Sequence, residues 1–170
     1  MKSKDDKLLH VLSCCELKMG LKSIIGVSYL MQISGWDLNY IYSITSNGLK
    51  CRLLGSYVND FTAEGYIKEK CGYFYLTDDG KECLDNFVLQ YDDYNNLDYI
   101  LSVAKVLSDE ELCFICILDI MLNEIESKYG ADGLLKYQST LKTNLKNLTS
   151  CYSDENFNNA IKLLRNVRGN

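Results

Sequence analysis

The stretch NGLKCRLLGSYVNDFTAEGYIKEKCGYFYLTDDGKECL, residues 47–84, changes periodicity twice within a short run, and its reading decides the fold. Leu49, Leu53, Leu54, Tyr57, Val58 and Phe61 recur at helical spacing and predict one apolar stripe over about three turns. Gly65 ends that helix, because glycine enters the left-handed C′ conformation without a steric penalty. Residues 66–70 and Tyr73–Leu76 follow as two β-type runs separated only by Cys71-Gly72. That is hairpin spacing, with a glycine where a positive φ is required. Thr77-Asp78-Asp79-Gly80-Lys81-Glu82 then supplies the polar oxygens that start another helix. The order is helix, tight ribbon, capped helix.

Upstream, residues 7–16 offer Leu8, Leu9, Val11 and Leu12 as a first short helix, broken by Met19-Gly20. Leu21–Ile33 predicts a second helix, with Leu21, Ile24, Ile25, Tyr29 and Met31 through Ile33 facing inward. Ser34-Gly35-Trp36-Asp37 reads as a turn. Residues 40–45, rich in β-branched and aromatic side chains, predict a third strand.

Downstream of Leu84 the pattern is helical throughout. Residues 91–107 carry Tyr94, Leu97, Ile100, Leu101, Ala104 and Leu107 on one face. Ser108 and Glu111 form a capping box, which opens a helix to about Ile125 that is apolar almost all round. Such a helix is either central in a core or buried between subunits. Tyr129 to Gly133 predict a loop. Leu134, Leu141, Leu145 and Leu148 then line one helix, and Phe157, Ile161, Leu164 and Val167 line the last.

Residues 18–84 resemble the winged helices of bacterial and phage regulators, the MarR and PadR classes among them. The ending Tyr75-Leu76-Thr77-Asp78-Asp79-Gly80-Lys81-Glu82 is similar to the leucine-threonine-x-x-glycine-lysine ending of their wings. A wider resemblance takes in most of the chain, to small bacterial winged-helix proteins related to Panacea-type antitoxin domains. Gly48 and Gly65 keep that family's spacing between helix start and wing, but Leu49-Lys50-Cys51 stands where the family has proline-tyrosine-serine. The resemblance implies an α-rich α+β fold: a winged helix-turn-helix over about residues 5–88 and a helical C-terminal extension over 89–170. It also implies a bacterial or phage origin and a role in transcription regulation, or an antitoxin-like one.

Bulk properties narrow the function classes. No run approaches the roughly 18 uninterrupted apolar residues of a membrane span, and no signal-peptide core follows the charged N-terminus. A cytoplasmic protein is expected. Eight cysteines fall within apolar helical or strand patterns, as small core residues of a reducing compartment do. The formal charge of −5 is uneven. Residues 1–90 carry 10 basic and 11 acidic side chains, residues 91–135 carry 2 and 10, and residues 136–170 carry 6 and 2. The last two regions are able to attract one another, within one chain or across a homodimer.

The helix at 51–64 is the recognition helix of the predicted fold. Its face opposite the apolar stripe carries Arg52, Gly55, Ser56, Asn59 and Ala63. Arginine and asparagine suit guanine and adenine edges in the major groove, and glycine and serine admit close approach to phosphates. Lys68 and Lys70 lie on the wing, where phosphate contacts are usual. Asp60, Glu64 and Glu69 oppose that footprint, since DNA affinity rests largely on phosphate neutralisation. The aromatic row Tyr66, Tyr73, Phe74 and Tyr75 has the chemistry to stack unpaired bases, although packing of a half-buried ribbon is its ordinary use.

Cys113-Phe114-Ile115-Cys116 has zinc or redox spacing but lies inside an apolar helix without a second pair, so it reads as core. His10 and Cys14, at i,i+4, involve the single histidine and make a poor metal site. No glycine-rich phosphate loop or nucleophile elbow is present, and the paired acids sit at helix starts, where the macrodipole favours them. The expectation is a non-enzymatic protein with no catalytic residues, metal or cofactor. Two partners remain open: double-stranded DNA, or a protein held by the same fold. A homodimer is expected through Leu112, Ile117 and Met121 of the apolar helix.

Overall fold

A computed structural model describes residues 6–14, 19–85 and 96–169 of the chain. Among these the fold is helix-rich α+β with two small antiparallel hairpins. The first half comprises α1 (Asp6–Cys14), α2 (Leu21–Ile33), β1 (Ser43–Thr45), β2 (Gly48–Lys50), α3 (Arg52–Ala63), β3 (Ile67–Lys70), β4 (Tyr73–Leu76) and α4 (Asp78–Asp85). The second comprises α5 (Leu97–Val106), α6 (Asp109–Tyr129), α7 (Ala131–Leu148) and α8 (Asp154–Arg168). The expected boundary near residue 88, and the expected helical turn at 91–95, fall outside the described residues.

The α2 helix has the predicted bounds, but Leu21 at its start is exposed and not inward as expected. From Ile24 to Met31 it is buried on every side, because it runs through the centre against α6. Gly26 makes that approach close: a Cβ there would lie 2.6 Å from Leu112 Cγ. The Cys116 thiol of α6 points at the Gly26 carbonyl, 3.7 Å away.

Beyond α2 burial alternates with a two-residue period, although the backbone turns at Leu38, whose N–H donates to the Trp36 carbonyl at 2.8 Å, and at Asn39 (φ 56°). Trp36, Leu38 and Tyr40 point inward, and Asp37, Asn39 and Ile41 outward. Gln32 holds this run to α2, accepting from Tyr40 N–H at 2.8 Å and donating to its carbonyl at 3.1 Å. The strand expected at 40–45 is ladder-paired only in its last three residues. Its partner is β2, in the register Ser43↔Lys50, Ile44↔Leu49, Thr45↔Gly48. Leu49 therefore belongs to a strand and not to the helical stripe, because Gly48 (φ 101°) and extended Cys51 hold this run out of the helix. Leu53, also assigned to the stripe, is 41% exposed, whereas Leu54, Val58 and Phe61 are buried.

The second hairpin matches its prediction. Ile67↔Leu76, Lys68↔Tyr75, Glu69↔Phe74 and Lys70↔Tyr73 pair, and Cys71 (φ 55°) and Gly72 (φ 80°) make the turn. Two successive positive φ values match the right-handed twist of the ribbon. Met19 adds one bridge to its other edge, accepting from Phe74 N–H at 2.9 Å.

In the second half, α6 packs against α2, β2, α7 and α8. The expected capping box is formed: Glu111 N–H donates to Ser108 Oγ, and Ser108 N–H donates to Glu111 Oε2 at 2.9 Å. One continuous apolar core draws on both halves of the chain. No helix among the described residues is long and apolar enough to cross a membrane.

Candidate nucleic-acid interface

Helix α3 buries Leu54, Val58 and Phe61, and this orientation leaves Arg52, Ser56 and Asn59 exposed along its opposite side. At spacings of four and three residues these side chains form one stripe. Gly55 beside them has open space where a Cβ would be. Asp60, Ala63 and Glu64 are exposed on the same helix, so two carboxylates border the stripe.

The hairpin that follows is fixed at its base by one hydroxyl. Thr77 Oγ1 donates to the carbonyls of Gly65 at 2.7 Å and Tyr66 at 3.1 Å, and it accepts the Gly80 N–H at 3.1 Å. Thr77 N–H also donates to the Tyr66 carbonyl at 3.0 Å. Gly80 is required there, because a Cβ would collide with that carbonyl. The Leu-Thr-x-x-Gly pattern of the sequence thus fastens helix, hairpin and α4 together.

Strand alternation then divides the ribbon into two faces. Ile67, Glu69, Phe74 and Leu76 share one, on which Ile67 is buried and Phe74 and Leu76 half-buried. Lys68, Lys70, Tyr73 and Tyr75 share the other, each lysine directly opposite a tyrosine. Glu69 therefore does not sit among the lysines as its place in the sequence implies. The Asp109 carboxylate lies near the hairpin turn, since a Cβ on Gly20 would be 3.3 Å from it and 3.8 Å from the Gly72 carbonyl, and the Ser23 hydroxyl donates to that carboxylate. Lys22 reaches the neighbouring Glu110 at 4.0 Å, a surface pair of little energetic weight.

The expected interface between copies requires correction. Leu112 is 2% and Ile117 1% exposed within a single chain, because α2, α7, α8 and β2 surround α6. Neither has surface to offer a second copy. Met121 is half-buried against the same core.

A buried polar centre went unnoticed in the sequence. Asp119 of α6 is 2% exposed and accepts from Arg168 Nη2 of α8 at 2.7 and 2.9 Å, Tyr29 hydroxyl of α2 at 2.8 Å and Asn123 Nδ2 at 3.2 Å. Burial and the neighbouring carboxylate push the Tyr29 phenol far up, so it stays a donor. Beside it lies a shallow cleft of about 370 Å³ lined by Tyr29, Ile120, Asn123, Glu124, Ser127 and Lys128. The acidic and basic regions of the second half thus meet inside one chain through Arg168 and Asp119.

Cys113 accepts the Leu49 N–H at 3.2 Å, while Cys116 is fully buried and its thiol pushed up by that burial. Burial likewise pushes up the Cys51 thiol at the start of α3. Buried thiols of raised pKa are poor nucleophiles and poor metal ligands. No group of three or more His, Cys, Asp or Glu side chains able to hold a metal occurs among the described residues. The side chains of His10 and Cys14 lie outside them.

The chain matches no family model, no curated protein and no solved structure.

Proposed function

We propose that the chain is a non-enzymatic winged-helix regulator that binds double-stranded DNA through α3 and the β3–β4 hairpin. In this reading α1, α2 and α3 are the helices of the module, the hairpin is its wing, and Met19 supplies the third strand beside β4. The observation that carries it is the uncovered stripe of Arg52, Ser56 and Asn59, followed in the chain by a hairpin face with Lys68 and Lys70. Arg52 and Asn59 have base-edge chemistry, and the lysines have phosphate chemistry. A homodimer remains the working unit, with its interface elsewhere than Leu112 and Ile117. A mass near twice 19.4 kDa by light scattering supports that assembly, and 19.4 kDa at high micromolar concentration rejects it.

Anisotropy titrations on DNA from the chain's own genomic neighbourhood, at two salt concentrations, test the reading. Arg52→Ala should weaken specific binding by about 1–3 kcal/mol and relax preference at one base position. Lys68→Ala should weaken all sequences alike and reduce the salt slope by about one unit. Absence of affinity for any DNA at low salt removes the proposal. It would favour the second reading, a protein-interaction module of antitoxin-like or defence-system type. Asp60, Glu64 and the 41%-exposed Leu53 on α3 support that alternative, since exposed apolar and acidic groups suit a protein surface better than a phosphate backbone.

A further inference from the structure

We infer that the outer face of the β3–β4 hairpin is a binding site for unpaired nucleotides, with Tyr73 and Tyr75 as stacking platforms and Lys68 and Lys70 as phosphate contacts. The inference rests on the nucleic-acid reading of this surface and narrows the ligand of its hairpin part. Its basis is a difference between these two tyrosines and the others among the described residues. Tyr29, Tyr40 and Tyr42 pack edge to face; Tyr66 packs on Phe61, Tyr129 on Tyr137, and Tyr152 on Phe114. Tyr99 accepts from Asn166, and Tyr57 is likewise engaged. Among the described residues, no ring contact or side-chain hydrogen bond holds Tyr73 or Tyr75. Tyr73 is 45% exposed beside the turn, and Lys68 and Lys70 are exposed without an ion pair among the described residues.

The register sets the geometry. Lys68 faces Tyr75 and Lys70 faces Tyr73, so two cations and two rings alternate over one face of a short ribbon. Cross-strand neighbours on such a face stand about 4.5–5.5 Å apart at Cβ. A single strand offers both partners that this pattern needs, a phosphate chain and free base faces. A duplex offers only the phosphates, because its base faces are already stacked on each other. Base stacking on aromatic side chains tolerates any sequence and adds to affinity base by base. Glu69, on the reverse face, does not oppose the phosphates there.

The test compares three labelled oligonucleotides by anisotropy: a blunt duplex, the same duplex with a mixed-sequence overhang, and the overhang strand alone. Wild-type protein should prefer the overhang duplex to the blunt one. Tyr73→Ala should remove about tenfold of affinity for the overhang duplex and leave the blunt duplex unchanged. Tyr73→Phe keeps the ring and should keep the preference; its loss in that variant would mean that the hydroxyl and not the ring makes the contact, overturning the stacking site. Equal affinity of wild type for overhang and blunt duplexes also overturns the inference, while the duplex-binding proposal stands. Binding of the single strand without the duplex upholds the hairpin site and overturns the duplex proposal. Binding to none of the three overturns both.

Discussion

Helices α3 and α6 both offered in sequence a surface for something outside the chain. The structure separates them. Around α6, four elements of the same chain close on Leu112, Phe114, Ile115, Cys116, Ile117 and Leu118, and even Asp119 is internal. Around α3, the core takes only Leu54, Val58 and Phe61, and the other side is left uncovered. The all-round apolar part of α6, residues 112–118, is enclosed by its own fold, whereas a helix with one apolar stripe leaves its other face to solvent or to a partner. On the proposed reading recognition falls to the first half of the chain, while α6, packed against elements of both halves, belongs to the core.

The strongest test of the contrast is a charge on each helix. Ile117→Glu should abolish folding, since a carboxylate in that site has no partner, whereas Asn59→Glu should leave the melting transition in place. A folded Ile117→Glu protein by circular dichroism would break the assignment of α6 to the core. A smaller effect is expected at its polar point. Arg168→Ala leaves Asp119 buried beside only neutral donors and should cost about 3–5 kcal/mol in denaturant unfolding. Replacing both residues with apolar ones should cost less than that single change, and an additive double variant would show that the pair is not coupled.

The smallest effect belongs to the start of α6. The Ser108 N–H and hydroxyl hold the Glu111 carboxyl below the usual carboxylate range. A carboxyl of depressed pKa stabilises the fold above its unfolded value of about 4.3, and that contribution is lost as pH falls through the folded value. Glu111→Gln should therefore cost about 0.5 kcal/mol at pH 7 and progressively less under acid. A cost that stays constant down to acid pH would show that shape and not charge makes the cap.

Several local signals were legible in the sequence, where the decisive atoms lie close along the chain. Gly65, Cys71-Gly72, Thr77 with Gly80, and Ser108 with Glu111 each act over a few residues, and each stands where the pattern places it. The exposed residues Arg52, Ser56, Asn59, Lys68 and Lys70 follow from that, since burying one stripe fixes where the other side points. Non-local pairings were not legible. Asp119 meets Tyr29 across 90 positions and Arg168 across 49, so a lone aspartate in an apolar run gave no sign of its partners. One local pairing, of residues 43–45 with 48–50, was hidden as well, because Leu49 also fits the helical spacing of the segment after it. The choice between core and interface for α6 depends on which helices close over it, and periodicity carries no information about that.

The hydroxyl of Thr77 has a mechanical consequence. It ties the foot of the hairpin to the end of α3 and the start of α4. At the other end Met19 holds the β4 edge at Phe74, next to the turn. At about 3.3 Å per residue each strand of four is roughly 13 Å long, so the two anchorages stand most of that length apart. Held near both ends, the ribbon is a braced beam, and the aim of Lys70 and Tyr73 is set by Met19 as much as by the hairpin's foot.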